Sequence, residues 1–143
     1  MRFPTFLIGY LIILLSLHAL ATGVYLYYMF WWFDILMHFA GGVWLGSLGW
    51  YILFSSPFSK KISFPSWFGI IIVLMFACFV GVLWEIFEFS IDSFGIVYFD
   101  EKNPIILLKD TLLDLSMDMV GAFVSSMIFF GLHLRKTSKV EVV

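Results

Sequence analysis

Apolar residues fill four long stretches of this chain, and the polar positions fall between them in short groups. The stretches run approximately from Phe6 to Phe30, Ile35 to Phe54, Trp67 to Phe89 and Thr111 to Leu134. A bilayer core about 30 Å thick takes roughly 20 residues of helix, so each stretch is long enough to cross. The pattern predicts an all-α polytopic membrane protein: a single membrane domain over residues 1–143, built as a four-transmembrane-helix bundle. The first connection is very short and predicts a tight hairpin. Ser55 to Ser66, with Pro57, Lys60, Lys61 and Pro65, reads as a polar loop. The third connection, from Ser90 to Lys109, is longer and partly apolar (Phe94, Ile96, Val97, Tyr98, Phe99). Asn103-Pro104 is expected to break any helix there. This segment is expected to lie at the membrane interface or to fold over neighbouring polar groups as a lid.

Composition agrees with the pattern. The chain is 62% hydrophobic and 13% charged, against about half and about a quarter in a soluble domain. Its mean hydropathy is +1.03. A single cysteine, Cys78, excludes an intrachain disulfide and any multi-cysteine zinc site. No Gly-rich phosphate loop, Ser-His-Asp signature or basic patch is present, so nothing points to nucleic acid as a partner. The lipid bilayer is the expected one. Ala19-Leu20-Ala21 after an apolar run has the form of a signal-peptide cleavage site, but the run continues through Phe30 to Trp32. That is too long for the apolar region of a signal peptide, so the first span is expected to be retained.

Charge then sets the orientation. The N-terminus, the second loop and the C-terminus carry Arg2, Lys60, Lys61, Arg135, Lys136 and Lys139, while the opposite side carries only Lys102 and Lys109. The positive-inside rule predicts N-in, C-in. Of the 10 acidic residues, only Glu141 then falls inside.

The outer acids are not scattered. Asp34-x-x-x-His38 opens the second span, Glu85-x-x-Glu88-x-x-x-Asp92 closes the third, and Asp110-x-x-x-Asp114-x-x-x-Asp118 opens the fourth. Positions i and i+4 share a helix face, so each group forms a stripe. At 1.5 Å per residue, Asp118 lies about 12 Å below Asp110, at a depth similar to His38 and Glu85. Ionisable groups at such depth cost roughly 2.5–3.5 kcal/mol each on insertion scales, and mark a functional site by default. Carboxylates crowded where water is scarce cannot all stay charged. Either a cation balances them or some hold protons.

Asp34, His38, Glu85, Glu88, Asp110, Asp114 and Asp118 are therefore the candidate metal ligands, and a divalent cation is the expected cofactor. Carboxylates with one histidine suit Mg²⁺, Mn²⁺, Ca²⁺ or Zn²⁺. Asp34 also reads as an N-cap of the second span, and Asp110 as a helix-start residue on the favourable end of the dipole. Asp92, Asp100 and Glu101 read as solvated loop charges. His18, in mid-span, reads first as a polar link to a neighbouring helix. His133 reads as interfacial, and Cys78 as a buried small residue. Gly41, Gly42, Gly46, Gly81 and Gly121 are expected to let helix backbones approach near the acids.

Taken together, Asp34-Ile-Leu-Met-His38-Phe39 with Gly41-Gly42, Gly81-Val-Leu-Trp-Glu85-Ile-Phe-Glu88 and Asp110-Thr-Leu-Leu-Asp114 with Asp118 and Gly121-Ala122 resemble a family pattern. It is that of the small VanZ-like membrane proteins and, more closely, the YjdF-like proteins. The resemblance implies a bacterial cytoplasmic-membrane protein whose polar residues matter. It departs from the VanZ-like pattern at Ile35, where a Lys is expected, and at Glu88 and Asp118, where Gln and Asn are usual. These departures make the site more acidic and weaken any transfer of an antibiotic-resistance role.

The leading expectation is a membrane protein whose acidic, histidine-containing site, open to the extracytoplasmic side, binds a divalent cation or handles protons. One alternative is a metal-dependent membrane enzyme acting on a lipid-linked envelope substrate. Others are a cation or proton transport component, for which a dimer interface would have to complete the inner path, and a module binding a cationic ligand or a partner's basic helix. Catalytic residues, metal identity and oligomeric state are not assigned by the sequence.

Overall fold

A computed structural model describes residues 3–57, 59, 65–93 and 103–140. The segment expected as a lid (94–102, with Asp100, Glu101 and Lys102) lies outside the described residues. So do Arg2, Lys60, Lys61 and Glu141, and the side chains of Asp92, Lys136 and Lys139. The described elements are α1 (Phe3–Gly23), α2 (Leu26–Met29), α3 (Trp31–Phe54), α4 (Ser66–Ser93) and α5 (Pro104–Val140), with no strand among them. α1, α3, α4 and α5 are long and apolar enough to cross a membrane.

Two helix ends differ from the apolar runs, each for a local reason. The first run reaches Phe30, yet α1 stops at Gly23. Glycine disfavours helix continuation, and Tyr25 then takes a φ of 61°, in the left-handed region. The Val24 N–H bonds to the Leu20 carbonyl at 3.0 Å and closes the helix. The N–H groups of Tyr28 and Met29 then bond to the Tyr25 carbonyl, starting α2. Apolarity reports which residues sit in lipid and is silent on whether one helix carries them all.

The last helix shows the reverse. α5 starts at Pro104, well before the apolar run at Thr111. The Ile105 N–H donates to Asn103 Oδ1 at 3.0 Å, a capping interaction. Pro104 is suited to the first helical position, where no donor is needed. Asn103-Pro104 is thus a helix boundary, as expected, and the helix it opens starts ahead of the apolar run.

Packing centres on α3, the most enclosed span; α1 is the least enclosed. α3 and α5 meet backbone to backbone. A Cβ at Gly42 would run into the Asp118 carbonyl, one at Gly46 would come 2.7 Å from Ala122 Cα, and one at Gly121 would strike the Phe39 carbonyl. Small residues four apart are the usual means of such close approach in lipid, where dispersion rather than water exclusion drives association. α4 joins through a core of Leu45, Ala77 and Ala122. α1 is tied to α3 by two hydrogen bonds, from the Trp44 indole N–H to the Leu7 carbonyl at 2.8 Å and from the Tyr10 hydroxyl to the Ala40 carbonyl at 3.0 Å. Between α1 and α4, no Cα of one comes within 8 Å of the other among the described residues. The outward faces carry exposed aliphatics such as Ile12, Ile13, Met75 and Ile128, as lipid-facing surfaces do.

Candidate metal centre

The α3–α5 crossing brings the polar ends of three spans together around His38. α3 carries Asp34 and His38 on one face, α5 carries Asp114 and Asp118 one turn apart, and α4 supplies Glu85 and Glu88. His38 Nε2 lies 3.7 Å from Asp34 Oδ1 and 4.0 Å from Asp114 Oδ1. Its Nδ1 lies 3.5 Å from Asp118 Oδ2, at the outer limit of a hydrogen bond. The imidazole is thus ringed by carboxylates on both nitrogens without tight contact to any.

Burial makes that arrangement costly. His38, Asp114 and Asp118 are 6%, 3% and 5% exposed, although all three are polar. Asp34, Glu85 and Glu88 are half-buried. Asp114 Oδ1 and Glu85 Oε1 are buried without a hydrogen-bond partner. Two sets of donor atoms draw together, Asp34 with His38 and Asp114, and His38 with Glu85 and Glu88. Within each set the donors lie within 4.8 Å of one another, so each is able to hold a metal ion. The Asp118 carboxylate is wedged between helices. A Cβ on Gly81 would come 2.6 Å from its Oδ2 and 2.9 Å from Leu115 Cδ2, so Gly81 leaves the space that Asp118 occupies.

Five of the seven candidate ligands fall in these two sets, which share His38, and Asp118 adjoins them at His38 Nδ1. Asp110 does not join them: it is exposed on α5, one turn before Asp114 and nearer the helix start, and belongs to neither donor set. The helix ends also correct two readings. Asp34 is not an N-cap, because Phe30 occupies that position; it lies in the first turn of α3, directed at His38. Asp110 is not a helix-start residue, because α5 begins at Pro104. Cys78 is half-buried, away from the acids, in a shallow apolar groove with Met75 and Met119. His133 packs its ring near Trp50 and Phe54, at the C-terminal end of α3.

His18 does form a polar link. Its Nδ1 is 2.7 Å from the Tyr27 hydroxyl, and its ring meets the edge of Trp84 with centroids 5.4 Å apart. These side chains also wall a cavity of about 150 Å³ that reaches Asp34, His38, Glu88 and Asp118. Burial, and then the carboxylates of Asp34 and Glu88, push the Tyr27 hydroxyl above its ordinary range, so it keeps its proton at neutral pH. No sequence pattern marks Tyr27 as a residue of the site. Tyr27 follows His18 across the break at Tyr25, so no helical period connects them.

Comparison with curated proteins and with solved structures returns no match. One family model does match, over residues 1–135 and so over all the crossing helices and every residue of the site; the chain belongs to that family, the predicted membrane proteins DUF2238.

Proposed function

We propose that this protein binds a divalent cation at the outer end of its bundle, through His38, Asp34, Asp114, Glu85 and Glu88. The observation that supports this most is the pair of donor sets sharing His38, each with one buried oxygen that has no partner. A buried polar atom left unsatisfied costs about 1–3 kcal/mol, and more when charged. A cation held by either set would remove that cost at the orphan oxygen of that set, Asp114 in one and Glu85 in the other. The spacing is compatible as well. Ligands bound at about 2.0–2.6 Å to one ion lie roughly 3–5 Å apart, and the gaps of 3.7 and 4.0 Å at His38 Nε2 fall in that interval.

Asp118 takes a different part. It faces Nδ1, so it orients the imidazole with Nε2 toward Asp34 and Asp114. A carboxylate behind a metal-binding histidine raises its basicity and fixes its ring. One imidazole among carboxylates makes Mn²⁺ and Zn²⁺ the first ions to test.

Binding fits better than transport. On α5 no Asp, Glu, His, Lys or Arg lies between Asp118 and His133, none follows His38 on α3, and none precedes Glu85 on α4. Beyond the site these helices bury only hydroxyls, those of Ser47, Ser125 and Ser126, and no ionisable group, up to His133 on α5. The order of the acidic groups also supports kinship with the VanZ-like and, more closely, YjdF-like proteins.

Metal analysis of protein purified without chelators is expected to find a bound divalent ion. Mn²⁺ titration followed by electron paramagnetic resonance is expected to show tight binding, weakened at least about tenfold by Glu85→Gln and by Asp114→Asn. A metal-free protein whose stability ignores added Mn²⁺ and Zn²⁺ overturns the reading.

A further inference from the structure

The cavity beside the site presents mostly apolar surface, and the acidic side chains among its walls lie toward one end. Its outer end is lined by Tyr27, Asp34 and Glu88, and its inner end by Leu11, Leu14 and Val80. On α1 the lining runs from His18 inward to Leu11, about 10 Å at 1.5 Å per residue. α3 forms the floor, and α1 and α4 stand on either side with no Cα of one within 8 Å of the other, His18 meeting the edge of Trp84 across them at the acidic end. A gap between two spans faces hydrocarbon, so what enters it comes from the bilayer.

We infer that this groove admits from the outer leaflet a single-chain alkylammonium amphiphile, its cationic head among Asp34, Glu88 and Asp118 and its tail along Leu11, Leu14 and Val80. Charge complementarity selects the head. Three carboxylates line the cavity, with no Lys or Arg among its walls. An anionic headgroup would be repelled there, and a neutral one would gain no ion pair with the acids. The rings of Tyr27 and Trp84 add faces suited to a cation. Size selects a single chain: a cavity of about 150 Å³ has room for about six carbons, since a void of that size holds benzene. The rest of the chain leaves between α1 and α4. The inference rests on the cation-binding reading of the same acids, and makes an organic cation a second ligand for them.

Native mass spectrometry of the full chain released from detergent tests it with dodecylamine, dodecanol, dodecyl phosphate and methylamine. Dodecylamine is expected to be retained at least tenfold more than each of the others. Leu14→Trp, which fills the apolar end, is expected to lower dodecylamine retention at least tenfold and leave Mn²⁺ binding unchanged; Leu14→Phe serves if that variant does not fold. Equal retention of dodecanol and dodecylamine, or amine retention indifferent to both Leu14 variants, overturns the inference. Protein that binds Mn²⁺ without preferring the amine loses this inference and keeps the metal reading. Protein that prefers dodecylamine but ignores Mn²⁺ does the opposite.

Discussion

His38 is the one base in a ring of acids, and the side chains around it divide by the nitrogen they face. Asp34 and Asp114 face Nε2, where a cation would sit, and Asp118 faces Nδ1. Asp118→Asn keeps the volume but weakens the hold on the ring. It is expected to lower Mn²⁺ affinity about 10–100-fold, the usual effect of losing such a partner, with helical circular dichroism unchanged. Asp110→Asn is the control: exposed and outside both donor sets, it is expected to leave the same titration unchanged within about twofold, as surface substitutions usually do. The spacing of four made the stripes on α3 and α5 readable, because neighbours on a helix face are set by backbone geometry. It did not separate Asp110 from Asp114, since both lie on that stripe. What separates them is how far toward α3 and α4 the stripe stays enclosed.

At the scale of elements, glycines decide where the acids meet. Gly42, Gly46 and Gly121 draw α3 against α5, and Gly81 opens room for Asp118 beside α4. Gly42→Ala would set a methyl against the Asp118 carbonyl and push the helices apart. Overpacking of this kind costs about 1–3 kcal/mol, expected as a lower midpoint in thermal unfolding. Gly81→Ala meets mainly side-chain atoms, the Asp118 carboxylate and Leu115 Cδ2. Its expected effect is a loss of Mn²⁺ affinity larger than its loss of stability. The hairpin offers the opposite test. Tyr25 is 66% exposed and holds a positive φ, a conformation that costs a non-glycine residue roughly 1–2 kcal/mol. Tyr25→Gly is expected to raise stability by about 0.5–1 kcal/mol once the flexibility of glycine in the unfolded chain is set against it. Lower stability in the same unfolding measurement would show that the ring of Tyr25 matters more than its backbone.

The whole molecule is a bundle of four crossing helices with its buried ionisable groups, His38, Asp114 and Asp118, gathered at one end. The distribution of Lys and Arg predicts that this end faces outward. In a Cys78→Ala background, Ile105→Cys near the start of α5 is expected to react with a membrane-impermeant thiol reagent added to intact cells. Ser55→Cys, at the end of α3, is expected to react only after the membrane is opened. The reverse pattern would place the site on the inner side and remove the outer leaflet as the source of its ligand. That the chain crosses lipid, and that its acids share one end, was legible from residues taken singly, because the cost of placing each side chain in hydrocarbon depends on its chemistry and its position along the run. Which acids surround His38, which two carboxylate oxygens go unpartnered, and the cavity joining Tyr27 to Glu88 depended on the packed bundle. Those follow from helix rotation, the break at Tyr25 and the backbone contacts at Gly42 and Gly121, which bring together residues that no linear spacing relates.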